Sequence, residues 1–366
     1  MSLSVGIVGL PNVGKSTLFN AVSSAHADAA NYPFATIEPN VGIVGVPDER
    51  LHVLSRLVRA ARTVPATVEF HDIAGLVKGA SVGEGLGNQF LSHIREVDAI
   101  VHVVRCFDDP DVAHVEGTLD PARDIEITET ELLLKDMETL ERTTDKALRA
   151  ARTGGSDVRQ RAETLQVLLE HLRAGTPARA VTRENARAAA IAKEIGLLTA
   201  KPVLYAGNVA EDELPDPDSD AVRALRQTAD ARGGEIVLIC AELEAQIAEL
   251  DPEDRAAFLA DLGLSASGLD RLISAAYRML GLITFFTASD KEARAWTLRE
   301  GTRAPAAAGT IHTDMQRGFI RAEVISYEDF AQLGSEQAVR DAGKLRIEGK
   351  DYVVRDGDVI HVRFNV

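Results

Sequence analysis

Short apolar runs alternate with segments of helical periodicity over much of the chain. The apolar runs cover residues 4–8, 67–73, 99–104, 202–206 and 235–239. Continuous runs of this length are typical of strands that are buried on both faces, as in parallel sheets covered by helices. The pattern therefore predicts an α/β fold with a doubly wound, mostly parallel sheet.

The strand rhythm stops between about residues 120 and 199, where apolar positions recur at helical spacing. Two sets flank the pair Gly154-Gly155: Leu133, Met137, Leu140, Ala147 and Ala151, then Ala162, Leu165, Leu169 and Leu172. A glycine pair between two such sets is typical of a turn between helices. We predict an inserted antiparallel helical hairpin of coiled-coil type; an ordinary pair of packed surface helices is the alternative.

From about Gly281 the pattern changes to short strand-like runs separated by turn residues. The runs cover residues 283–287, 296–298, 321–325, 352–354 and 359–364, and Gly349-Lys350 and Asp356-Gly357 mark the last turns. This pattern predicts a separate α+β module. The predicted organisation is a sheet domain at 1–119 and 200–280, a helical insertion at 120–199 and the carboxyl-terminal module at 281–366.

Composition and charge exclude several classes of protein. No apolar run approaches the roughly 18 residues that a membrane-spanning helix needs. The amino terminus shows no secretory signal pattern, and the chain has two cysteines, Cys106 and Cys240, which we predict to be small buried hydrophobic residues in a reducing compartment. These features predict a cytoplasmic protein without a membrane partner. The net charge of −16 argues against broad adhesion to nucleic acid and against a DNA partner.

The first candidate for chemistry is a glycine-rich loop between the first predicted strand and a helical pattern. Residues 9–16 read GLPNVGKS. In a phosphate-binding P-loop, the glycines let successive backbone N–H groups face the phosphates, the lysine reaches the β- and γ-phosphate oxygens, and the hydroxyl that follows it ligates Mg²⁺. Lys15 and Ser16 take these two roles here. The predicted phosphate-binding residues are Asn12, Val13, Gly14, Lys15, Ser16 and Thr17, as in nucleotide hydrolases of the GTPase type.

Two further segments match what a γ-phosphate sensor requires. Residues 31–36 read NYPFAT, and Thr36 is predicted to bind Mg²⁺ and the γ-phosphate. Asp72 follows the predicted strand at 67–71, which places its carboxylate near the metal, and Gly75 offers a backbone N–H to the γ-phosphate. The predicted magnesium ligands are therefore Ser16, Thr36 and Asp72.

These motifs together resemble one branch of the GTPases. Residues 72–91 read DIAGLVKGASVGEGLGNQFL, and with GLPNVGKS and YPFAT they resemble the Obg-related branch of translation-factor-like GTPases. The similarity to the YchF (Obg-like ATPase) subfamily covers the whole chain, and the carboxyl-terminal module resembles a TGS domain of the β-grasp type. The resemblance implies a translation-linked or stress-linked switch. It also implies binding to the large ribosomal subunit through the TGS and helical modules.

The segment that should recognise the base departs from the guanine pattern. GTP-specific relatives carry Asn-Lys-x-Asp after the fifth strand, whereas this chain has Asn208, Val209 and Glu211 at those three conserved positions. Glu211 is one methylene longer than aspartate, and Val209 cannot supply the lysine contact, so we expect reduced affinity for guanine. Ala241, in the following Cys-Ala-Glu-Leu loop, is expected to approach the base. The resemblance adds a preference for ATP; a GTPase in which Glu211 tolerates guanine is the alternative.

The hydrolytic machinery is expected to be weak. The position after Asp-x-x-Gly, which in many GTPases is a glutamine that orients water, is Leu76. The resemblance implies a histidine in a mobile loop as a substitute, which matches His114. Asn12 occupies the position that coordinates K⁺ in some relatives, so K⁺ is a second candidate cofactor beside Mg²⁺. A switch that binds ATP with negligible turnover is the competing hypothesis.

The carboxyl-terminal module is the part of the chain with the most balanced charge. Residues 281–366 contain 12 Lys or Arg and 13 Asp or Glu, so this module is the part that RNA would repel least. The candidate contact residues for RNA or the ribosome are Arg317, Arg321, Lys344, Arg346, Lys350 and Arg363, and an ordinary solvated surface is the alternative.

Overall fold

The computed structural model describes residues 3–24, 40–73 and 86–365. The strands are β1 Ser4–Val8, β2 Val41–Gly45, β3 Thr63–Val64, β4 Thr67–Asp72, β5 Ala99–Arg105, β6 Val203–Asn208, β7 Glu235–Ile239, β8 Leu282–Ala288, β9 Ala293–Arg299, β10 Phe319–Ser326, β11 Arg346–Glu348 and β12 Asp358–Phe364.

The helices lie between these strands. They are α1 Lys15–Ser24, α2 Glu49–Val58, α3 Leu86–Glu96, α4 Pro121–Ala151, α5 Ser156–Arg173, α6 Arg179–Thr182, α7 Ala186–Ile195, α8 Asp220–Ala231, α9 Ala241–Ala248, α10 Pro252–Asp261, α11 Gly268–Met279, α12 Ala304–Ile311, α13 Thr313–Arg317, α14 Tyr327–Leu333 and α15 Glu336–Asp341, with a 3₁₀ turn at Glu211–Glu213. None of them, within the described ranges, combines the length and hydrophobicity that a bilayer crossing requires.

The chain forms two compact units. The first contains Met1–Gly42 and Glu69–Leu272, and the second contains Ile43–Val68 and Ile273–Val366. Residues 43–68 differ from the predicted organisation, which places them in the sheet domain at 1–119. The pairing of β3 with β9, which ties them to the second unit, joins residues far apart in the chain and is not visible in a local pattern. The three-module organisation remains a prediction.

The first sheet confirms the predicted fold class. Its strand order is β2-β4-β1-β5-β6-β7, and β1 pairs in parallel with both β4 and β5, as β6 does with β5 and β7. All residues of β1 and β5 are buried, which explains why their sequences are mostly apolar. The carboxyl ends of these strands meet at one edge, and the glycine-rich loop leaves the sheet at that edge.

Helices α4 and α5 form the predicted hairpin. Asp120 caps α4 by accepting a hydrogen bond from the backbone N–H of Arg123. The turn at residues 152–155 contains Gly154, where a Cβ atom would lie 2.9 Å from the carbonyl oxygen of Ala150. The facing sides bury a cluster shared with α7: Leu140, Leu165, Leu168, Leu169, Leu172, Ala188, Ile191 and Ala192.

A buried polar cluster joins α4 to the sheet. Glu129 on α4 accepts a 2.8 Å hydrogen bond from the hydroxyl of Tyr205 on β6 and forms ion pairs with Arg179 and Arg232. Burial, together with the charges of the two arginines, lowers the pKa of the neighbouring His102 to about 3. The buried carboxylate of Glu129 therefore has hydrogen-bond or ion-pair partners in three residues. Because its partners include Tyr205 of the sheet, the cluster fixes how α4 packs on the sheet.

A second buried carboxylate, Asp136, holds the segment that leads from α7 to β6. It accepts hydrogen bonds from the backbone N–H groups of Leu198 and Thr199 at 2.8 and 2.7 Å, and from the Thr199 hydroxyl at 2.6 Å. Burial raises the pKa of Asp136 to about 6, although these hydrogen bonds oppose the shift.

Asp136→Asn is expected to destabilise the protein by about 2 kcal/mol, because the amide nitrogen cannot accept from the Thr199 N–H and leaves it unpaired. Urea denaturation measures this, with the exposed Asp145→Asn on α4 as the control. A folded-state pKa above the unfolded value gives stability that is present below about pH 4 and is lost as the pH rises through 6. The penalty should therefore be larger at pH 5 than at pH 7, and an equal effect of the two variants would contradict this role.

The second unit contains a mixed sheet of order β11-β10-β12-β8-β9-β3. Strand β10 pairs antiparallel with β11 and β12, β8 pairs antiparallel with β9, and β12 runs parallel to β8. One face buries a core of Phe285, Leu298, Ala304, Ala307, Ala308, Phe319, Ala322, Val324, Val354 and Ile360. The predicted strand at 352–354 is wrong: the segment forms an isolated bridge between Val353 and Arg303, because its backbone bonds to the loop before α12.

Candidate active site

The glycine-rich loop, residues 9–14, connects β1 to α1 in a conformation that requires glycine. Asn12 and Gly14 have φ angles of 63° and 89°. A Cβ atom on Gly14 would lie 2.2 Å from the side-chain nitrogen of Asn208, and one on Gly9 would lie 2.7 Å from the carbonyl oxygen of Val103. The loop therefore turns closely over the sheet and leads directly into the N-terminus of α1, which favours an anion.

Lys15 and Asp72, from α1 and β4, meet at this edge. The ammonium Nζ donates to Oδ1 of Asp72 at 2.8 Å, and the two side chains are 10% and 21% exposed. Both side chains keep some exposure to solvent, and each can exchange its partner for a phosphate oxygen or a cation. The structure brings these two predicted residues together.

The magnesium ligands can be assessed in part. Ser16 lies exposed in the first turn of α1, next to Lys15, and Asp72 ends β4 at the same sheet edge. A hydroxyl and a carboxylate are oxygen donors of the kind that Mg²⁺ prefers, so these residues fit the ion. Thr36, Gly75 and Leu76 lie outside the described residues. The described residues hold no preformed cluster of three or more His, Cys, Asp or Glu for a metal.

Asn208 connects the loop to the opposite side of the site. Its side-chain nitrogen donates to the carbonyl oxygen of Val13 at 3.0 Å, and its side-chain oxygen accepts from the backbone N–H of Ala241 at 2.9 Å. The residue is 5% exposed, and its own carbonyl accepts from the N–H of Cys106 at 2.7 Å. The buried side-chain amide of Asn208 therefore fixes the position of the glycine-rich loop relative to the start of α9.

The other residues that we predict to contact the base differ in their burial. Val209 is 2% exposed and packs in a core cluster with Cys106 and Tyr205, whereas Glu211 is exposed and begins the 3₁₀ turn. Cys240, also buried, caps α9, and burial raises the pKa of its thiol, with the charges of Glu211 and Glu242 adding to that rise. The burial of Cys106 and Cys240 agrees with the prediction.

Arg105 is a site residue that the sequence analysis missed. Buried at the end of β5, it donates to the carbonyl oxygens of Phe107, Asp109 and Val112 at 3.1, 3.3 and 2.9 Å, and to that of Asn12 at 3.5 Å. Its guanidinium also lies 4.4 Å from the centre of the Phe107 ring. It therefore fastens the 107–112 loop to the glycine-rich loop. The sequence signal that could have identified it is a charged residue, Arg105, at the end of a mostly apolar strand.

His114 is not an exposed loop histidine. Its side chain is 7% exposed, and its Nε2 lies 2.8 Å from Oδ2 of the buried Asp124 on α4. Its Nδ1 accepts from the backbone N–H of Glu116 at 3.1 Å, so Nε2 carries the proton and donates to Asp124. The preceding residue, Ala113, accepts a hydrogen bond from the side chain of Asn12 at 3.1 Å. The imidazole is therefore held by Asp124, while the neighbouring residue, Ala113, contacts the glycine-rich loop.

Most of the candidate RNA-contact residues of the second unit form ion pairs. Arg363 donates two hydrogen bonds to Glu323, and Arg321 lies 3.9 Å from the same carboxylate. Arg346 binds Tyr352 and Asp358 on the other side of the sheet, which makes it structural. Arg317 and Lys344 pair with Asp314 and Asp329, and Lys350 is exposed in the turn after β11.

Known proteins are similar to this chain over its whole length. Residues 4–146 match the model of the 50S ribosome-binding GTPases, and residues 282–365 match the YchF-GTPase_C model, described as a protein of unknown function (DUF933). Proteins named ribosome-binding ATPase YchF from Bacillus subtilis and Escherichia coli O157:H7 are 53% and 51% identical over the full length of both chains. The solved structure of the Schizosaccharomyces pombe YchF GTPase is 38% identical, with a TM-score of 0.90 over 99% of this chain and 98% of that one.

Proposed function

The chain belongs to the YchF family, and from that premise we propose that it is a Mg²⁺-dependent ATPase of GTPase fold that binds the ribosome in the cytoplasm. The observation that carries the proposal is the buried amide of Asn208, which joins the phosphate loop to a base-side loop whose recognition residues are not those of a GTPase. The protein then acts as a translation-linked or stress-linked switch.

Phosphate binding rests on the loop and on Lys15. The N–H groups of residues 12–17 and the N-terminus of α1 attract the phosphates, and Lys15 leaves Asp72 for the β- and γ-phosphate oxygens. Ser16, Thr36 and Asp72 would hold Mg²⁺, which neutralises charge on those oxygens when bound. Gly75 offers its N–H to the γ-phosphate. Release of Asp72 from Lys15 thus couples nucleotide binding to metal binding.

The choice between adenine and guanine depends on the absence of the lysine and the aspartate that recognise guanine in GTPases. Asn208 keeps its structural role, but Val209 is buried in the core, where it cannot pack on a guanine as the stem of a lysine would. Glu211 is exposed and one methylene longer than aspartate, so a guanine would lose the paired hydrogen bonds that its selection requires. Ala241 brings its backbone to the base. ATP is therefore the preferred nucleotide, with GTP weaker; a GTPase remains the alternative if Glu211 accepts guanine.

Hydrolysis is slow without a partner. Leu76 has no group that can orient water, and His114 would have to leave Asp124 before it could act on the nucleotide. Asn12 uses its amide nitrogen on Ala113, so its oxygen is available to K⁺, the second candidate cofactor. Turnover measured in K⁺ and in Na⁺ buffers tests that role, and identical rates would remove it.

The partner surface is expected on the helical and TGS-like modules, which would contact the large ribosomal subunit. Net charge is nearly balanced in residues 281–366, whereas the chain as a whole is strongly acidic, so neither DNA nor a membrane surface is an expected partner. The competing function is a switch that docks in the ATP state with negligible turnover.

Phosphate release measured with and without ribosomes separates the two functions. We expect purified ribosomes to raise ATP turnover at least about tenfold, because a bound partner can supply the group that positions water. Ribosome docking that depends on ATP but leaves turnover unchanged would favour the binding switch. A rate increase that isolated small subunits reproduce and large subunits do not would contradict the large-subunit assignment.

A further inference from the structure

A cavity opens in the second unit where two parallel strands part. Strand β12 runs beside β8 with Val359 opposite Phe286, the single opposed pair of these strands in the described chain. Beyond that pair lies a cavity of about 310 Å³. This volume is within the range of sites for small organic ligands. No residue of the nucleotide site lines it.

The floor of the cavity is apolar. Ile325, Phe330, Val359 and Ile360 are buried and line it from the strands and from α14, while Trp296 and others cover its sides. Apolar side chains at the floor of a pocket of this size favour the apolar body of a ligand. The floor therefore selects for an aromatic or branched aliphatic group.

The rim is acidic. Three carboxylates and His361 line the cavity, and no Lys or Arg does among the described residues. Glu323 is saturated by its two hydrogen bonds from Arg363. The carboxylate of Glu292 lies 4.0 Å from the guanidinium of Arg294, which is a weak ion pair. One carboxylate oxygen of Glu336 forms an ion pair with Arg340 at 3.0 Å. These two carboxylates, from the β8–β9 turn and from α15, can accept further donors.

We propose that this cavity binds a small cationic amphipathic molecule: its apolar body fills the floor, and its ammonium group binds Glu292 and Glu336. Charge-assisted hydrogen bonds to two carboxylates favour a cation over a neutral isostere. None of the residues proposed to bind ATP lines this cavity, so the two proposals can be tested separately.

Trp296 makes the proposal easy to test because it is the one tryptophan of the chain. Its Nε1 donates to the Thr287 hydroxyl at 2.9 Å, and its ring stacks at 6.3 Å on Phe285, so the indole is held in place on the cavity wall. Tryptophan emission of the full-length protein thus reports occupancy without a label.

The experiment titrates the protein with two cationic probes, phenethylamine and dibenzylamine, and with 2-phenylethanol and phenylacetate as the neutral and anionic counterparts of the first. We expect a saturable change in Trp296 emission with an amine, and binding of the counterparts at least about tenfold weaker. The double variant Glu292→Gln/Glu336→Gln should lose about tenfold in amine affinity, whereas Glu328→Gln, an exposed carboxylate on α14 outside the cavity, should not.

Two results would overturn the proposal. One is no saturable response to either amine by the folded protein; the other is equal affinity for the amine, its neutral and its anionic counterpart. Ala288→Phe, which fills the cavity from the end of β8, should abolish the response while ATP binding is retained. Retained amine binding in that variant would also overturn it.

Discussion

Lys15→Ala is expected to lower ATP turnover by roughly 100- to 1,000-fold, because it removes the one side-chain cation of the phosphate loop at the position where charge develops during phosphoryl transfer. In the described structure this ammonium is held by Asp72 at 2.8 Å, ready to exchange partners. Single-turnover phosphate release measures the chemical step, and equilibrium titration with a non-hydrolysable ATP analogue measures binding. Both should fall, since the lysine contacts the ground state as well.

The matched control for this substitution is Lys146→Ala. Lys146 is an exposed lysine of α4, far along the chain from the loop, and its removal makes the same change in net charge. A turnover rate within about twofold of the wild type is expected for the control. Turnover by Lys15→Ala at the rate of the control would contradict the assignment of the loop as the phosphate site.

Asn208→Asp is expected to weaken ATP binding by about 30-fold, the factor that corresponds to about 2 kcal/mol. The substitution keeps the acceptor for the Ala241 N–H but replaces the donor to Val13 with a carboxylate oxygen, which repels that carbonyl. Because the residue is 5% exposed, water cannot relieve the repulsion. Calorimetric titration of ATP measures the affinity, and the midpoint of urea denaturation measures the accompanying loss of stability.

The control for Asn208 is Asn20→Asp, which introduces the same charge on an exposed position of α1 in the same unit. Its ATP affinity should stay within about twofold of the wild type. If Asn208→Asp bound ATP as tightly as this control, the phosphate loop would not depend on the amide bridge.

Local sequence patterns were sufficient for five of the six strands of the first sheet and for the loop, whereas β2 was not predicted. β1 and β5 are mostly apolar because both faces are buried, with Ser4, His102 and Arg105 as polar exceptions, and the glycines at 9 and 14 are required by close contacts of the backbone. The hairpin of α4 and α5 was predictable for a similar reason, because its buried positions recur at helical spacing on both sides of Gly154.

Other features depend on contacts between distant residues, which a local pattern does not contain. Nothing near Arg105 shows that its guanidinium reaches the carbonyl oxygen of Asn12, and nothing near His114 shows that Asp124 of α4 faces it. Residues 43–68 join the second unit through Arg50, whose guanidinium binds Asp48 and the distant Asp356. Thr36, Gly75 and Leu76 lie outside the described residues, so their roles stay predictions.

We propose that this GTPase fold selects ATP because Val209 and Glu211 replace the guanine-recognition residues. Titration of the purified protein with ATP and with GTP, both with Mg²⁺, tests it most directly. We expect ATP to bind at least about tenfold more tightly than GTP, since a guanine would leave polar groups unpaired. Equal affinities, or tighter binding of GTP, would contradict it.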